Sequence, residues 1–213
     1  MGRLRASGLV SHVMRATYPG PQPGFSAFQV IKALLTIGSR KLIGRKLLAD
    51  EIGLGPGAVR TLVQRLSAAR LVASTPSGCR LTSKGLALYE ELAGSIRMKP
   101  IRTGRLAVDR HSVAIRIRDA AGSVRRGLEQ RDAAVRAGAT GATTLIVQQG
   151  RFTIPGESLD CEEEFPDPLW RTLIRDFEPH DGDVFVVSSA PTLRVAEEGA
   201  IAASLDLLEV QSG

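Results

Sequence analysis

A turn of three residues, Gly53-Leu54-Gly55, separates two short stretches with helical periodicity. The first stretch runs from about Arg45 to Ile52, and the second begins at Pro56 and ends near Ala69. Glycine adopts backbone conformations that other residues resist, and proline is tolerated in the first helical turn because the amide hydrogen it lacks has no partner there. The pattern therefore predicts two helices joined by a tight turn.

Regular segments flank this helix pair on both sides. Apolar residues recur at helical spacing from Phe25 to Ile37, and Ser26 stands where a helix N-cap is expected. After the second helix, two extended stretches surround the turn Pro76-Ser77-Gly78, and a further helix is expected from Ser83 to Ile96. The predicted order is helix, helix, tight turn, helix, hairpin, helix.

The helix that begins at Pro56 has an apolar and a polar face. Four apolar residues recur at the i, i+3, i+4 and i+7 spacing of one face and are expected to point inward. They are Val59, Leu62, Val63 and Leu66. The outward residues begin with two small ones, which permit close approach to another surface, and continue with polar and basic ones. The outward set is Gly57, Ala58, Arg60, Thr61, Gln64 and Arg65.

The segment from Gly44 to Val72 resembles the helix-turn-helix core of bacterial and archaeal winged-helix regulators. The matching features are the Leu48-Ala49 pair, the turn glycine Gly53, the Val59-Arg60 pair, the ending from Leu66 to Val72, and the stretch from Leu81 to Gly85 after the hairpin. The whole chain resembles archaeal regulators in which a winged helix precedes an uncharacterised α+β domain. This resemblance implies a DNA-binding transcription regulator, with recognition helix 56–69 in the major groove and wing 71–82 on the flanking backbone or minor groove.

In that arrangement the exposed side chains have partners on double-stranded DNA. Arginine pairs with guanine and glutamine with adenine in the major groove, which suits Arg60 and Gln64. Arg45 and Lys46, at the start of the preceding helix, are expected over the phosphate backbone. The alternatives are an ordinary amphipathic helix and a surface hairpin without a nucleic-acid partner. At the hairpin tip, the residues expected to reach a phosphate or the minor groove are Ser77, Gly78 and Arg80.

Charge is distributed unevenly between the two halves of the chain. Residues 1–100 contain 15 lysine and arginine residues and four acidic ones, a balance of +11. Residues 101–213 contain 13 basic and 18 acidic residues, a balance of −5. A basic half joined to an acidic half is typical of a polyanion-binding domain attached to a domain with another task. The alternative is a basic surface that only meets solvent.

Proline and glycine divide the chain into a lead-in segment, 1–24, a winged helix-turn-helix domain, 25–98, and an α+β domain, 103–213. The second boundary is expected at Met98-Lys99-Pro100, because the residue before a proline avoids the helical conformation. The last domain is predicted to be a small sheet with helices on one face. Its expected strands are Gly104–Asp109, Ser112–Arg118, Thr143–Gln148, Arg151–Ile154 and Asp183–Ser188, and its helices are Val124–Ala137, Pro168–Phe177 and Thr192–Glu209.

The C-terminal domain has no catalytic signature, so we expect neither an enzyme nor a cofactor. The acidic run 160–164 is expected to be a solvated loop and not a metal site, because consecutive carboxylates cannot all face one ion. The loop 150–156 would either border a ligand cavity or belong to a packed hairpin. One weak anion site is expected where hydroxyls and a cation meet a helix N-terminus, at Ser188, Ser189, Thr192 and Arg194, although Ser189 alternatively serves only as a helix cap.

The absence of a long apolar run, the lack of a signal-like N-terminus and the presence of only two cysteines, Cys79 and Cys161, predict a cytoplasmic protein with reduced thiols and no membrane partner. The leading hypothesis is a homodimeric transcription regulator whose C-terminal domain dimerises, senses a small molecule, or both. A winged helix used for protein or RNA contact within a transcription or translation assembly is the second hypothesis. An enzyme with an appended winged helix is the third.

Overall fold

A computed structural model of the chain describes residues 10, 13, 14, 24–102, 104–205 and 207–210. The chain forms two compact units, Met1–Ala93 and Gly94–Gly213. The α+β class is confirmed. Of the predicted lead-in segment, 1–24, all but four residues lie outside the described part of the chain.

The first unit follows the predicted order of elements. Its elements are α1 (Ala27–Arg40), α2 (Arg45–Ile52), α3 (Pro56–Ala68), β1 (Val72–Thr75), β2 (Gly78–Leu81) and α4 (Ser83–Ser95). Ser26 and Gln29 form a capping box at the start of α1. Gly53 ends α2 in the left-handed conformation with φ 69°, and Pro56 occupies the first turn of α3. Helix-turn-helix followed by a hairpin and a helix is the winged helix-turn-helix architecture.

A third extended segment holds the hairpin of the first unit in place. Ile43, between α1 and α2, pairs with Cys79 in β2. The Ile43 N–H donates to the Cys79 carbonyl at 3.0 Å, and the Cys79 N–H donates to the Ile43 carbonyl at 2.8 Å. The hairpin is therefore tied to the segment that leads into α2, which orients it relative to the helix-turn-helix.

The second unit is built on one five-stranded antiparallel sheet. Its strands are β3 (Ile96–Ile101), β4 (His111–Ile117), β5 (Gly141–Gln148), β6 (Arg151–Thr153) and β7 (Val184–Ala190), in the order β3-β4-β7-β5-β6. Its helices are α5 (Leu128–Arg136), α6 (Cys161–Glu164), α7 (Leu169–Phe177), α8 (Leu193–Ser204) and α9 (Leu207–Val210).

Helices cover both faces of this sheet, so the predicted one-sided arrangement is wrong. On one face, Phe152 stacks on Trp170 of α7 with ring centroids 5.4 Å apart. Phe185 and Phe177 meet edge-on at the same face, 5.4 Å apart. On the opposite face, a Cβ added at Gly199 of α8 would lie 2.6 Å from the Ser188 hydroxyl oxygen. Central strands with apolar residues at consecutive positions need cover on both sides, and every residue of β7 is buried.

The first strand of the sheet is also displaced from its predicted position. Residues 104–110 form no strand, and β3 pairs instead with β4 as an edge strand. Pro100 is accommodated because an edge strand has one side without a neighbouring strand, where no amide donor is needed. Since β3 belongs to the second unit, the division falls after Ala93, earlier than the proline at which it was predicted.

Other elements differ only in length. Gly127, with φ 76°, precedes α5, which is therefore shorter than the helix predicted from residue 124. The predicted helix from Thr192 is divided into α8 and α9. The predicted hairpin with Gln149-Gly150 at its turn is confirmed, with φ of 51° and 72° at the two positions.

Candidate nucleic-acid interface

Helix α3 presents the polar face that its spacing predicts. Its four inward apolar residues, Val59, Leu62, Val63 and Leu66, are buried. Gly57, Arg60 and Gln64 are exposed, while Ala58 and Thr61 are half-buried. The Thr61 hydroxyl donates to the Gly57 carbonyl at 3.2 Å. The exposed face thus begins with residues that lack bulk and continues with one guanidinium and one amide.

Arg65 is the exception on this helix. Its Nη1 donates to the carbonyl oxygens of Val13 at 3.1 Å and of Met14 at 2.9 Å. Its guanidinium also lies over the ring of Phe25. The side chain holds an N-terminal segment of the chain, so we remove Arg65 from the predicted DNA-contacting set.

A cleft between α2 and the start of α3 gathers the predicted phosphate-binding residues. Arg45, Lys46 and Arg60 line it, together with the apolar side chains of Leu54 and Val59, and its volume is about 390 Å³. Arg45 and Lys46 are exposed in the first turn of α2. The structure therefore brings the predicted backbone-contacting and base-contacting cations to one cleft.

The acidic residues of the first unit leave this surface positive. Glu51 forms an ion pair with Arg40, with Nη2 and Oε1 2.7 Å apart. Asp50 lines the same cleft as Arg60, a proximity that helical spacing alone does not predict. Among the described residues of this unit, only Glu90 and Glu91 of α4 are further acids. The positive balance of the sequence is thus retained around α2 and α3.

At the hairpin, the structure separates the three predicted wing residues. Ser77 and Arg80 are exposed, but Gly78 is buried. Gly78 has φ 139°, and a Cβ there would lie 2.6 Å from the Ile43 carbonyl oxygen. Gly78 therefore allows the close approach of the third extended segment, and its predicted contact with DNA is withdrawn.

The predicted anion site in the second unit is not assembled as expected. Ser188 and Ser189 are completely buried within β7 and do not stand at a helix terminus. The Ser189 hydroxyl lies 2.9 Å from that of Ser112. Thr192, and not Ser189, caps α8, because its hydroxyl oxygen accepts from the Val195 N–H at 3.3 Å. Arg194 follows in the first turn of α8 and is exposed.

An open cleft of about 610 Å³ lies elsewhere in the second unit, beside the turn of the β5–β6 hairpin. Its polar lining residues include Gln148, Gln149, Arg151 and Asp181. Phe152, the aromatic residue of loop 150–156, is buried in the core. The alternative interpretation of that loop as part of a packed hairpin is therefore the one the structure supports, with the cleft on its outer side.

The remaining polar clusters of the second unit are structural. Arg116 is buried against Asp183, and burial lowers the pKa of this guanidinium. Arg116 donates to the Phe177 carbonyl at 2.6 Å, which holds the end of α7 against β4.

Cys79 of the first unit and Cys161 of the second are both buried free thiols, and burial raises the pKa of Cys161. Within the described ranges, no three His, Cys, Asp or Glu side chains converge as a metal ion would require.

Two family models match this chain. Residues 31–87, in the first unit, match the model of the PH0730-like N-terminal domain. Residues 108–207, in the second unit, match a domain of unknown function, DUF4443. None of the curated proteins matches the chain.

A solved structure, the hypothetical protein PH0730 from Pyrococcus horikoshii OT3, is similar over both units. It is 26% identical in sequence and superposes with a TM-score of 0.64. The similarity covers 84% of this chain and 91% of that protein. The expected likeness to an archaeal protein is confirmed at the level of the fold, and the C-terminal unit matches a domain of unknown function. In the part of the chain that the structure describes, no helix is both long and apolar enough to cross a bilayer.

Proposed function

We propose that this protein is a DNA-binding transcription regulator that inserts α3 into the major groove of double-stranded DNA. The observation that carries the proposal is the cleft where Arg45 and Lys46 of α2 lie beside Arg60 of α3. Arg45 and Lys46 would contact the phosphate backbone, and Arg60 would contact the bases of the same duplex. This follows because the helix before a recognition helix crosses the backbone.

Base readout would fall to Arg60 and Gln64. The two residues are four positions apart on α3, so they stand on one helix face about 6 Å apart along the axis. That separation suits neighbouring base pairs, with the guanidinium on a guanine and the amide on an adenine. Gly57 and Ala58 would let the start of the helix enter the groove without steric conflict.

The flanking contacts would come from the cations around the cleft and from the hairpin. Arg45 and Lys46 would bind phosphates on one side of the groove. The hairpin turn is short, with Thr75 paired to Gly78, and its exposed polar side chains include Ser77 in the turn and Arg80 in β2. This wing would therefore add few contacts, from one hydroxyl and one guanidinium.

The second unit would dimerise the protein, bind a small-molecule effector, or do both, and we propose no enzymatic activity for it. A dimer would present two copies of α3 and would bind a site with two-fold symmetry. The cleft beside the β5–β6 turn supports effector binding, because its size suits a small molecule and its lining combines amides with both charges.

Fluorescence anisotropy with labelled duplex DNA tests the proposal. The chain should bind duplex DNA with an affinity that falls steeply with salt, and a site selected from a random pool should be preferred. Arg60→Ala and Gln64→Ala should each weaken binding to the selected site about fivefold or more, as expected for lost base contacts. Binding to unrelated duplex should change much less.

The matched control is Arg171→Ala, which removes an exposed arginine from α7 in the second unit. It should leave both affinities unchanged. If the wild-type chain shows no salt-sensitive binding to duplex DNA, or if Arg171→Ala and Arg60→Ala act alike, the proposal is wrong. Preferential binding of RNA over DNA would support the RNA-binding hypothesis in its place.

A further inference from the structure

Helix α5 of the second unit exposes an apolar stripe to solvent. Leu128 is 52% exposed and Val135 is 44% exposed. The two residues are seven positions apart and so stand on the same side of the helix, two turns from each other. The opposite side of α5 is packed, because Gln130 and Ala134 are buried. Large apolar side chains aligned on one exposed helix face favour a docking surface.

Two charged residues lie between these apolar ends. Arg131 and Asp132 are both exposed, and neither side chain has a hydrogen-bond or ion-pair partner among the described residues. Consecutive helical residues project about 100° apart, so the two charges stand on opposite flanks of the line from Leu128 to Val135. One flank of this α5 stripe (Leu128, Arg131, Asp132, Val135) therefore carries Arg131 and is positive. The other carries Asp132 together with Glu129 and Arg136, and its net charge is negative.

Such a face is complementary to itself. We propose that two copies of this chain meet through the α5 stripe, with the two α5 helices parallel about a two-fold axis that runs along the stripe. In that geometry Leu128 meets Leu128 and Val135 meets Val135. The flank that carries Arg131 in one copy faces the flank that carries Asp132 in the other, which makes two equivalent ion pairs. An isologous contact requires this kind of pattern, because one patch must fit its own copy.

The charges also select the orientation. In an antiparallel pair, the two-fold axis would bring each flank against the same flank of the other copy. Arg131 would then face Arg131 and Asp132 would face Asp132, and like charges across an interface are repelled. The parallel arrangement is the one in which both flanks are paired.

The stripe is small, which determines how strong the contact is. Helix α5 has nine residues, and a pair of such helices buries less area than the roughly 1,200–2,000 Å² of stable interfaces. Because the contact is small, we expect a weak dimer with a dissociation constant in the micromolar range.

This inference rests on the dimerisation included in the proposed function and names the surface that performs it. Sedimentation velocity of the full chain across the micromolar range tests it. The wild type should shift from monomer to dimer as its concentration rises. Arg131→Asp and Asp132→Arg should each raise the dimer dissociation constant about tenfold or more, because each places like charges on facing flanks.

The double variant Arg131→Asp/Asp132→Arg should return the dissociation constant to within about threefold of the wild type, because the swap restores opposite charges on facing flanks. Arg171→Asp, which makes the same charge change on α7, should have no effect. Far-ultraviolet circular dichroism and thermal melting confirm that each variant is folded.

The outcomes separate the surface from the proposed function. A dimer that is indifferent to both single variants, or that the swap does not restore, overturns the α5 stripe and leaves dimerisation in place. A wild-type chain that stays monomeric throughout the range overturns both the stripe and the dimerisation. DNA binding is decided separately, by the anisotropy measurement.

Discussion

The guanidinium of Arg65 lies 5.5 Å from the centroid of the Phe25 ring. A cation at that distance over an aromatic face is attracted by the electrons of the ring. The same guanidinium donates to the Val13 and Met14 carbonyls. One side chain of α3 therefore joins this helix to residues that precede α1.

We expect Arg65→Ala to lower the stability of the protein and Arg60→Ala to lower its affinity for DNA. Arg65→Ala removes two charged hydrogen bonds and the ring contact, so the free energy of unfolding should fall by about 2 kcal/mol. Arg60→Ala should change stability by less than about 0.5 kcal/mol, because its side chain is exposed. Urea unfolding gives the first quantity, and anisotropy gives the DNA affinity. A selective loss of base discrimination by a stable Arg65→Ala protein would return Arg65 to the DNA-contacting set.

The cations of α2 should control the salt dependence of DNA binding. With Arg45→Ala and Lys46→Ala combined, the slope of log affinity against log salt should become shallower by about 0.9 for each phosphate contact that is lost. The preference for the selected site should remain, because phosphates carry no sequence information. Titrations from low to moderate salt measure both. An unchanged slope would exclude the two side chains from the interface.

Gly78 should tolerate no side chain. Gly78→Ala places a Cβ against the Ile43 carbonyl oxygen at a φ of 139°, and the strain should lower the free energy of unfolding by about 2 kcal/mol or more. Gly57→Ala is the matched control, since nothing lies within 4 Å of a Cβ there. Because Gly57 is helical, its substitution should stabilise the protein by about 0.5–1 kcal/mol while weakening DNA binding. Equal stability of the two variants in urea would contradict the role assigned to Gly78.

Removing one partner of the buried Arg116–Asp183 pair should destabilise the protein more than removing both. Asp183 is fully buried 3.8 Å from Arg116 Nε and accepts the N–H of His180 at 3.0 Å. Asp183→Ala leaves a buried cation unpaired and should cost about 3–5 kcal/mol. Arg116→Met/Asp183→Ala should recover part of that loss, because no unpaired charge remains. Thermal melting compares the two, and a double variant less stable than Asp183→Ala would show that the ion pair is not the cause.

Much of the first unit is predictable from local sequence. The capping box at Ser26, the left-handed Gly53 and the first-turn position of Pro56 depend on neighbouring residues alone. For the same reason the inward and outward faces of α3 follow from its spacing. In the second unit, the hairpin at Gln149-Gly150 was predictable because glycine in a two-residue turn accepts the positive φ that tight hairpin turns require.

The errors concern contacts between distant parts of the chain. From local sequence, Pro100 predicts a domain boundary. In the structure it lies within β3, where a proline is accepted because that strand is at the edge of the sheet. Ser188 and Ser189 precede a helix in sequence, but pairing with β4 and β5 continues β7 through both of them. Ladder hydrogen bonds extended the strand where local sequence suggests a loop.

The amino-acid sequence by itself determined the winged helix-turn-helix order, the basic character of the first half of the chain and the side chains on the polar face of α3. These properties depend on backbone preference, helical periodicity and composition. Only the tertiary structure decided that Arg65 holds residues up to 52 positions away, that Gly78 is buried beneath Ile43, and that α5 leaves Leu128 and Val135 exposed. Those outcomes depend on which remote groups meet a side chain, and packing alone brings remote groups together.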